Sequence, residues 1–234
     1  MFRFKQFNVD QSDCAMKINT DGVLLGALAE ADQPKTILDI GTGTGVIALM
    51  LAQRFNDARI DAVEIDPIAA QTAEKNFTNS SFSERLSVYP VGFEQFFEPN
   101  PDAKYDLIVS NPPFFINSLK SPKANKGIAK HTDQEFFRKL TIGIARHINS
   151  SGDCFLILPL DTAELVKNIG LDNGLFIKKV ISIYSYQDSA PHREILVLSL
   201  DKIETDNEKF VIYNAPKVYS KQYQETLKDF FTIF

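Results

Sequence analysis

The chain has 234 residues, 44% of them hydrophobic, enough to bury a sizeable core as one α/β domain with extensions rather than two full domains. No apolar run reaches the ~18–20 residues of a membrane-spanning helix, and Met1-Phe2-Arg3-Phe4-Lys5-Gln6 lacks the apolar stretch and cleavage site of a secretory leader, so a cytoplasmic location without membrane contact is expected. Two cysteines, Cys14 and Cys154, show no paired spacing, so neither a metal cluster nor a disulfide framework is expected, and a net charge of −5 argues against indiscriminate nucleic-acid binding.

Phe2, Phe4, Phe7 and Val9 suggest a short β segment or hairpin at the start of the chain. Thr20-Asp21-Gly22 then opens an apolar helical segment, with a capping role for Thr20 and Asp21 and, for Asp21, a second reading as a contact to a bound molecule. Lys35 to Ile40 reads as a strand running into Gly41-Thr42-Gly43-Thr44-Gly45, and Val46 to Phe55 as a helix. Strand, glycine turn and helix form the first half of a doubly wound nucleotide-binding sheet. The glycines let a ligand approach the backbone closely. Their spacing is G-x-G-x-G, not the dinucleotide G-x-G-x-x-G, and no Lys-Ser/Thr follows as a phosphate-binding loop requires. Asp39 just before the turn suits a cationic ligand.

A second strand, Arg59 to Asp66, ends in acids about 20 residues beyond the glycines, where such folds grip a ribose diol. Glu64 is assigned to that role and Asp66-Pro67 to the start of the next helix. Leu86 to Val91 makes a third strand, followed by Gly92-Phe93-Glu94 at the place where an adenine edge would meet the protein. The fourth, Tyr105 to Val109, runs into Ser110-Asn111-Pro112-Pro113-Phe114. The double proline stops strand pairing where the chain leaves the sheet. The Asn111 amide and Pro112 carbonyl beside the Phe114 ring describe a socket for a flat group bearing an exocyclic NH₂. A proline-rich turn with Asn111 as an Asx-turn residue is the plainer alternative.

From Lys120 to Lys139 there are six basic residues, Lys120, Lys123, Lys126, Lys130, Arg138 and Lys139, against two acids, with His131 among them. This local excess directly follows the proline motif, which favours a substrate-facing role over a merely solvated face. A helix from His131 to Ile148, a strand from Cys154 to Leu158 and a helix from Asp161 to Asn168 come next. Phe176 to Tyr186 and Ile195 to Leu200 form an antiparallel hairpin at the sheet edge, joined through Ser189 to Arg193. From Ser220, the residues Tyr223, Leu227, Phe230 and Phe234 share one face of a docked C-terminal helix. The organisation expected is an extension over residues 1–32, a ligand-binding domain over 33–203, and a strand and helix over 204–234, all within one compact unit.

Asp39-Ile-Gly-Thr-Gly-Thr-Gly45, Glu64 and Asn111-Pro-Pro-Phe114 together resemble the class I S-adenosylmethionine-dependent methyltransferases that act on amino groups. Phe4-Lys-Gln-Phe7, Cys14-Ala-Met-Lys17, Thr20 to Gly26, His131-Thr132, Pro191-His-Arg193 and Tyr219 with the aromatic tail narrow this. They resemble the family of bacterial valine-tRNA adenine-N6-methyltransferases nearly end to end. The resemblance implies a Rossmann-like class I fold, with a seven-stranded, mostly parallel sheet, an antiparallel edge hairpin and helices on both faces. It implies S-adenosylmethionine held by Asp39, Gly41, Gly43, Gly45 and Glu64, with Asp21 and Phe93 as further contacts and no metal. Asn111, Pro112, Pro113 and Phe114 become the catalytic set. The substrate implied is a tRNA, methylated on adenine 37 next to the anticodon of valine tRNA. Lys120, Lys123, Lys126, Lys130, His131 and Arg193 would hold its backbone, and a monomer is expected. Two departures stand out: Phe114 where Tyr is common, and Gly92 where an acid often meets the cofactor adenine. Alternatives on the same fold are methylation of a protein glutamine or of guanine N2 in ribosomal RNA, and a non-catalytic RNA-binding relative.

Overall fold

The structure is a computed structural model that describes residues 1–12, 14, 16–113 and 126–234, with the side chains of residues 126–133 outside the description. Phe114, Lys120 and Lys123 therefore lie outside the described residues. Lys126, Lys130 and His131 are described only as helical backbone.

The chain begins with a two-stranded ribbon, β1 (Phe2–Arg3) paired antiparallel with β2 (Asn8–Val9), followed by α1 (Thr20–Leu28). An alternating series comes next: β3 (Thr36–Ile40), α2 (Val46–Arg54), β4 (Arg59–Val63), α3 (Pro67–Thr78), β5 (Leu86–Tyr89), α4 (Phe93–Phe97) and β6 (Tyr105–Ser110). Then come α5 (Lys126–His147), β7 (Ile148–Leu158) and α6 (Leu160–Asp172). The chain closes with β8 (Phe176–Tyr186), β9 (Pro191–Ser199), β10 (Asp206–Ala215), β11 (Val218–Tyr219) and α7 (Lys221–Leu227).

The main sheet runs β11-β10-β8-β9-β7-β6-β3-β4-β5. Its strands are parallel except that β9 is antiparallel to β7 and β8, and β11 to β10. The seven expected strands are present, and two more extend them, giving nine. The β8–β9 hairpin consequently lies inside the edge rather than at it. An eleven-residue strand such as β8 would otherwise expose a long row of unpaired backbone groups, a template for aggregation. β10 covers that edge and buries Phe210, Val211 and Ile212 in doing so.

Side chains alternate across the strands and supply two cores. Ile37, Leu107, Val109, Phe155 and Val197 face the layer of α1, α2, α3 and α7, while Leu38, Ile108, Leu156 and Leu198 face α4, α5 and α6. Helix α2 is buried from Val46 to Ala52, which accounts for its lack of a polar face. The cap of α1 is Asn19 rather than Thr20 or Asp21: its Oδ1 accepts from the Gly22 amide at 2.9 Å. Asparagine three residues before that amide reaches it directly, which leaves Asp21 in the first turn, where a negative charge suits the helix dipole. Asp66 caps α3 as expected, accepting from Ile68 N and Ala69 N at 2.8 and 3.2 Å.

Gly45 ends the glycine turn at φ +82°, and a β-carbon there would lie 2.5 Å from Cε1 of Phe77. Both the backbone region and the space exclude a side chain, so this glycine seats α2 against α3. Gly45→Ala should lower unfolding stability by about 1–3 kcal/mol from backbone conformation alone, with the clash adding to it. Urea denaturation checks this, and an unchanged midpoint would contradict the packing role.

Candidate active site

Parallel pairing sets Ile40, the last residue of β3, beside Ser110, the last of β6. The glycine turn and the Asn-Pro-Pro segment therefore leave the sheet side by side. β3 lies between β4 and β6, so successive crossovers run to opposite sides of it. Ligands of open α/β sheets bind at this kind of reversal, beyond the carboxyl ends of the strands. Ser110 Oγ donates to the Ile40 carbonyl at 2.7 Å inside the core and ties the two strand ends together.

A cavity of about 500 Å³ opens there, walled by Gly41, Gly43, Glu64, Phe93, Asn111, Pro112 and Pro113. A β-carbon on Gly41 or Gly43 would meet nothing within 4 Å, so the backbone of the turn borders open space. Glu64 is fixed from two sides: Oε2 accepts from Gly43 N and Oε1 from Asp66 N, each at 2.9 Å. Each carboxylate oxygen keeps further acceptor capacity, enough for the two hydroxyls of a ribose. Ile65 is 75% exposed although apolar and lines the same cavity, a shelf for a flat ring. Its Cδ1 lies 3.4 Å from the place of a β-carbon on Gly92, so an aliphatic group covers the position where an acid was expected. Phe93 meets Phe97 and Phe136 edge-on, at centroid distances of 6.4 and 5.7 Å. Glu94, at the rim, pairs with Lys139 at 3.2 Å.

Asn111 is half-buried, and the first turn of α1 abuts it: a β-carbon on Gly22 would lie 3.8 Å from its Nδ2. Among the described residues neither the Asn111 amide nor the Pro112 carbonyl has a hydrogen-bond partner. Two acceptors thus stand at the cavity wall with their capacity unspent.

Other sequence-selected residues stand apart from this wall. Gly45 packs under Phe77 instead of bordering the cavity. Asp21 is not in the cavity wall and accepts from Arg193 Nε at 2.8 Å; Arg193 Nη1 donates to the His192 carbonyl at 2.8 Å. The pair joins the start of α1 to β9. Asp39 is fully buried beneath the turn and accepts from Thr42 Oγ1 at 2.6 Å. Its Oδ1 faces the first turn of α2, toward Ala48, without a hydrogen bond of good geometry. Burial pushes its carboxyl up to about 7, with the charge of Glu64 adding and the Thr42 hydroxyl opposing. Asp39 therefore braces the turn from below. Sequence reasoning missed Ile65, Met16, Cys14 and Phe136, all in the cavity wall. Alternation marks Ile65 only as a strand-end residue between two acids, and nothing in its neighbours signals exposure.

Residues 14–149 match the methyltransferase small domain. The chain is 47% identical over 233 residues to a tRNA1(Val) (adenine(37)-N6)-methyltransferase from Pedobacter heparinus, covering 100% of this chain and 98% of that protein. It is 37% identical over 230 residues to a protein of the same name from Bacteroides fragilis, covering 98% and 97%. A crystal structure of a "predicted O-methyltransferase" from Agrobacterium tumefaciens superposes with a TM-score of 0.68 at 16% identity, over 90% of this chain and 96% of that one, a likeness of fold.

The state of Asp39 yields a pH prediction. The unfolded chain releases this proton near 3.8 and the folded chain near 7. Between those values only the folded state holds the proton, so its contribution to stability is full below the lower value and is lost as pH rises through the upper one. The slope is about 1.4 kcal/mol per pH unit. Asp39→Asn retains an oxygen for Thr42 and removes the titration. Urea unfolding across this window should show the wild type losing stability relative to the variant as pH rises. A constant difference would mean that Asp39 is ionised in the fold.

Proposed function

The chain belongs to the family of methyltransferases that share the small domain and full-length likeness to the tRNA1(Val) (adenine(37)-N6)-methyltransferases, and from that premise we propose its reaction: transfer of a methyl group from S-adenosylmethionine to N6 of adenine 37 in valine tRNA. The observation that carries this reading is the pair of acceptors without a partner among the described residues, the Asn111 amide and the Pro112 carbonyl, fixed beside the glycine turn by the Ser110–Ile40 bond.

The residues present fit that cofactor. Gly41 and Gly43 leave room for a ligand against the backbone, Glu64 offers two oriented oxygens to a ribose diol, and Ile65 offers a shelf to adenine. When bound, S-adenosylmethionine supplies an electrophilic methyl group on a positively charged sulfur.

The chain's own task is orientation. The N6 lone pair of adenine is delocalised into the ring and attacks poorly from the planar amine. By accepting the two amine hydrogens, Asn111 Oδ1 and the Pro112 carbonyl favour a pyramidal nitrogen whose lone pair faces the cavity over the glycine turn. The gain is mainly one of proximity and alignment. The cationic N-methylated amine loses a proton to water readily, so Asn111 need not act as a base. An adenine in a tRNA loop must be extruded to reach this wall, as in other enzymes that act on bases. Phe114 is proposed to stack on it, and Lys120, Lys123, Lys126, Lys130, His131 and Arg193 to meet the RNA backbone, which makes binding salt-sensitive. Arg193 would do so while joined to Asp21. No helix among the described residues is long and apolar enough to cross a membrane; the cytoplasm is proposed as the site of the reaction because the proposed substrate is a tRNA.

The test is methyl transfer from labelled S-adenosylmethionine to total tRNA lacking the modification, followed by nucleoside analysis. N6-methyladenosine in one valine isoacceptor is expected. Label only in ribosomal RNA or a protein would keep the chemistry and overturn the substrate. Asn111→Ala should lower kcat by about a hundredfold or more while S-adenosylhomocysteine binds as before, and near-normal turnover would refute its role. Glu64→Ala should weaken S-adenosylhomocysteine by about 1.5–3 kcal/mol, the worth of hydrogen bonds to a charged group; calorimetry showing equal affinity would assign the ribose to another residue.

A further inference from the structure

A second cavity, of about 370 Å³, lies on the other side of the α1 N-terminus, between the first and last segments of the chain. It is firmly built. Lys5 N donates to the Phe230 carbonyl at 2.8 Å and Lys5 Nζ to the Phe234 carbonyl at 2.9 Å, while Phe4 bridges to Phe231, so the β1–β2 ribbon is clamped to the C-terminus. One wall is aromatic, formed by Phe2, Tyr219 and Tyr223. The other holds Asn19 and Thr20, with the exposed Arg3 at the border.

Three features specify an occupant. First, the aromatic wall continues outward as a row of tyrosines: Tyr223 stacks on Tyr219 at 4.7 Å and 8°, Tyr219 on Tyr213 at 5.2 Å and 22°, and Tyr186 follows at 5.8 Å. Tyr219 is stacked between Tyr213 and Tyr223, so the row presents ring edges, which a base meets edge-to-face. Second, the exposed Arg3 borders the cavity, and Lys217 and Lys221, two residues either side of Tyr219 in sequence, are exposed as well. They suit a phosphate backbone on a chain whose net charge is −5. Third, the cavity is adjacent to the methyl-transfer wall. The place of a β-carbon on Gly22 is 3.6 Å from Asn19 Oδ1, in the second cavity, and 3.8 Å from Asn111 Nδ2, in the first. One helix start separates the two.

We propose that this cavity takes up a second unpaired nucleobase of the RNA substrate, distinct from the methylated adenine. The ring lies against the Phe2, Tyr219 and Tyr223 wall, its edge faces Asn19 and Thr20, and its phosphate meets Arg3. The inference rests on the reading that the substrate is RNA. It supplies that reading with a second anchor, which fixes where the extruded adenine arrives relative to Asn111. Single-stranded loops are recognised in this manner, by splayed bases lodged among aromatic side chains.

The test uses the full chain and anticodon stem–loop hairpins of valine tRNA, each with one loop nucleotide other than the target made abasic. Methyl transfer and hairpin affinity are measured for the wild type, for Thr20→Trp, which plugs the cavity from its exposed rim, and for Arg3→Ala, a surface change that keeps the core. One abasic position should raise the wild-type KM for RNA on the order of ten- to a hundredfold. Thr20→Trp should show a similar loss on the intact hairpin and no further loss at that position, with S-adenosylhomocysteine affinity unchanged. Arg3→Ala should reduce hairpin affinity and its salt dependence. If the wild type methylates the hairpin and both variants retain its KM, the second anchor is refuted and the reaction stands. If the wild type neither binds nor methylates any RNA, the RNA reading fails and the anchor with it.

Discussion

The site depends on the register between β3 and β6. Ile40 lies opposite Ser110, and the Ser110 hydroxyl spends its proton on the Ile40 carbonyl in the buried core. An unpaired hydroxyl there would cost about 1–3 kcal/mol, so the bond is both a satisfaction of burial and a latch. In a parallel pair the two chains leave the sheet in the same direction. The glycine turn and the Asn-Pro-Pro segment are thereby delivered to one wall, although about seventy residues separate them in sequence. Shifting β6 by one residue would turn Ser110 to the opposite face and carry Asn111 away with it.

Two acids hold the turn open from opposite sides. Glu64 accepts from the Gly43 amide above, and Asp39 accepts from Thr42 in the core below. The amides of Gly41 and Thr42 add bonds to the Val63 carbonyl at 2.8 and 3.1 Å, so the turn is anchored to the end of β4. A cavity bordered by backbone survives folding because these contacts fix the loop that would otherwise collapse into it. Proline at 112 and 113 serves the same end on β6: it stops pairing and leaves a carbonyl beside the Asn111 amide with no partner among the described residues. Asn111 and Pro112 border an open cavity, so an amine bound there would replace water on these acceptors.

Much of this was legible in the sequence, for identifiable reasons. The βα alternation, the glycine turn, Glu64 at the end of β4 and the double proline each follow from a local rule about backbone or periodicity. What escaped is tertiary. Asn19, not Thr20 or Asp21, caps α1 because the reach to the Gly22 amide decides among three polar neighbours. Gly45 belongs to the glycine motif by spacing, yet beyond its positive φ it is Phe77, thirty-two residues later, that closes the space for a side chain there. Asp21 pairs with Arg193 across 172 positions of sequence, a contact no local pattern encodes. Ile65 is exposed because the sheet ends beneath it, which is a property of the assembled sheet. The ninth strand and the covered edge of β8 likewise follow from where the C-terminal segment docks.

The most direct measurement is a crystal structure of the full chain with S-adenosylhomocysteine and the anticodon stem–loop of valine tRNA. The ribose hydroxyls are expected on Glu64, and the extruded adenine with N6 about 2.7–3.2 Å from both Asn111 Oδ1 and the Pro112 carbonyl. An adenine seated elsewhere, with those two acceptors bonded only to water, would contradict this arrangement.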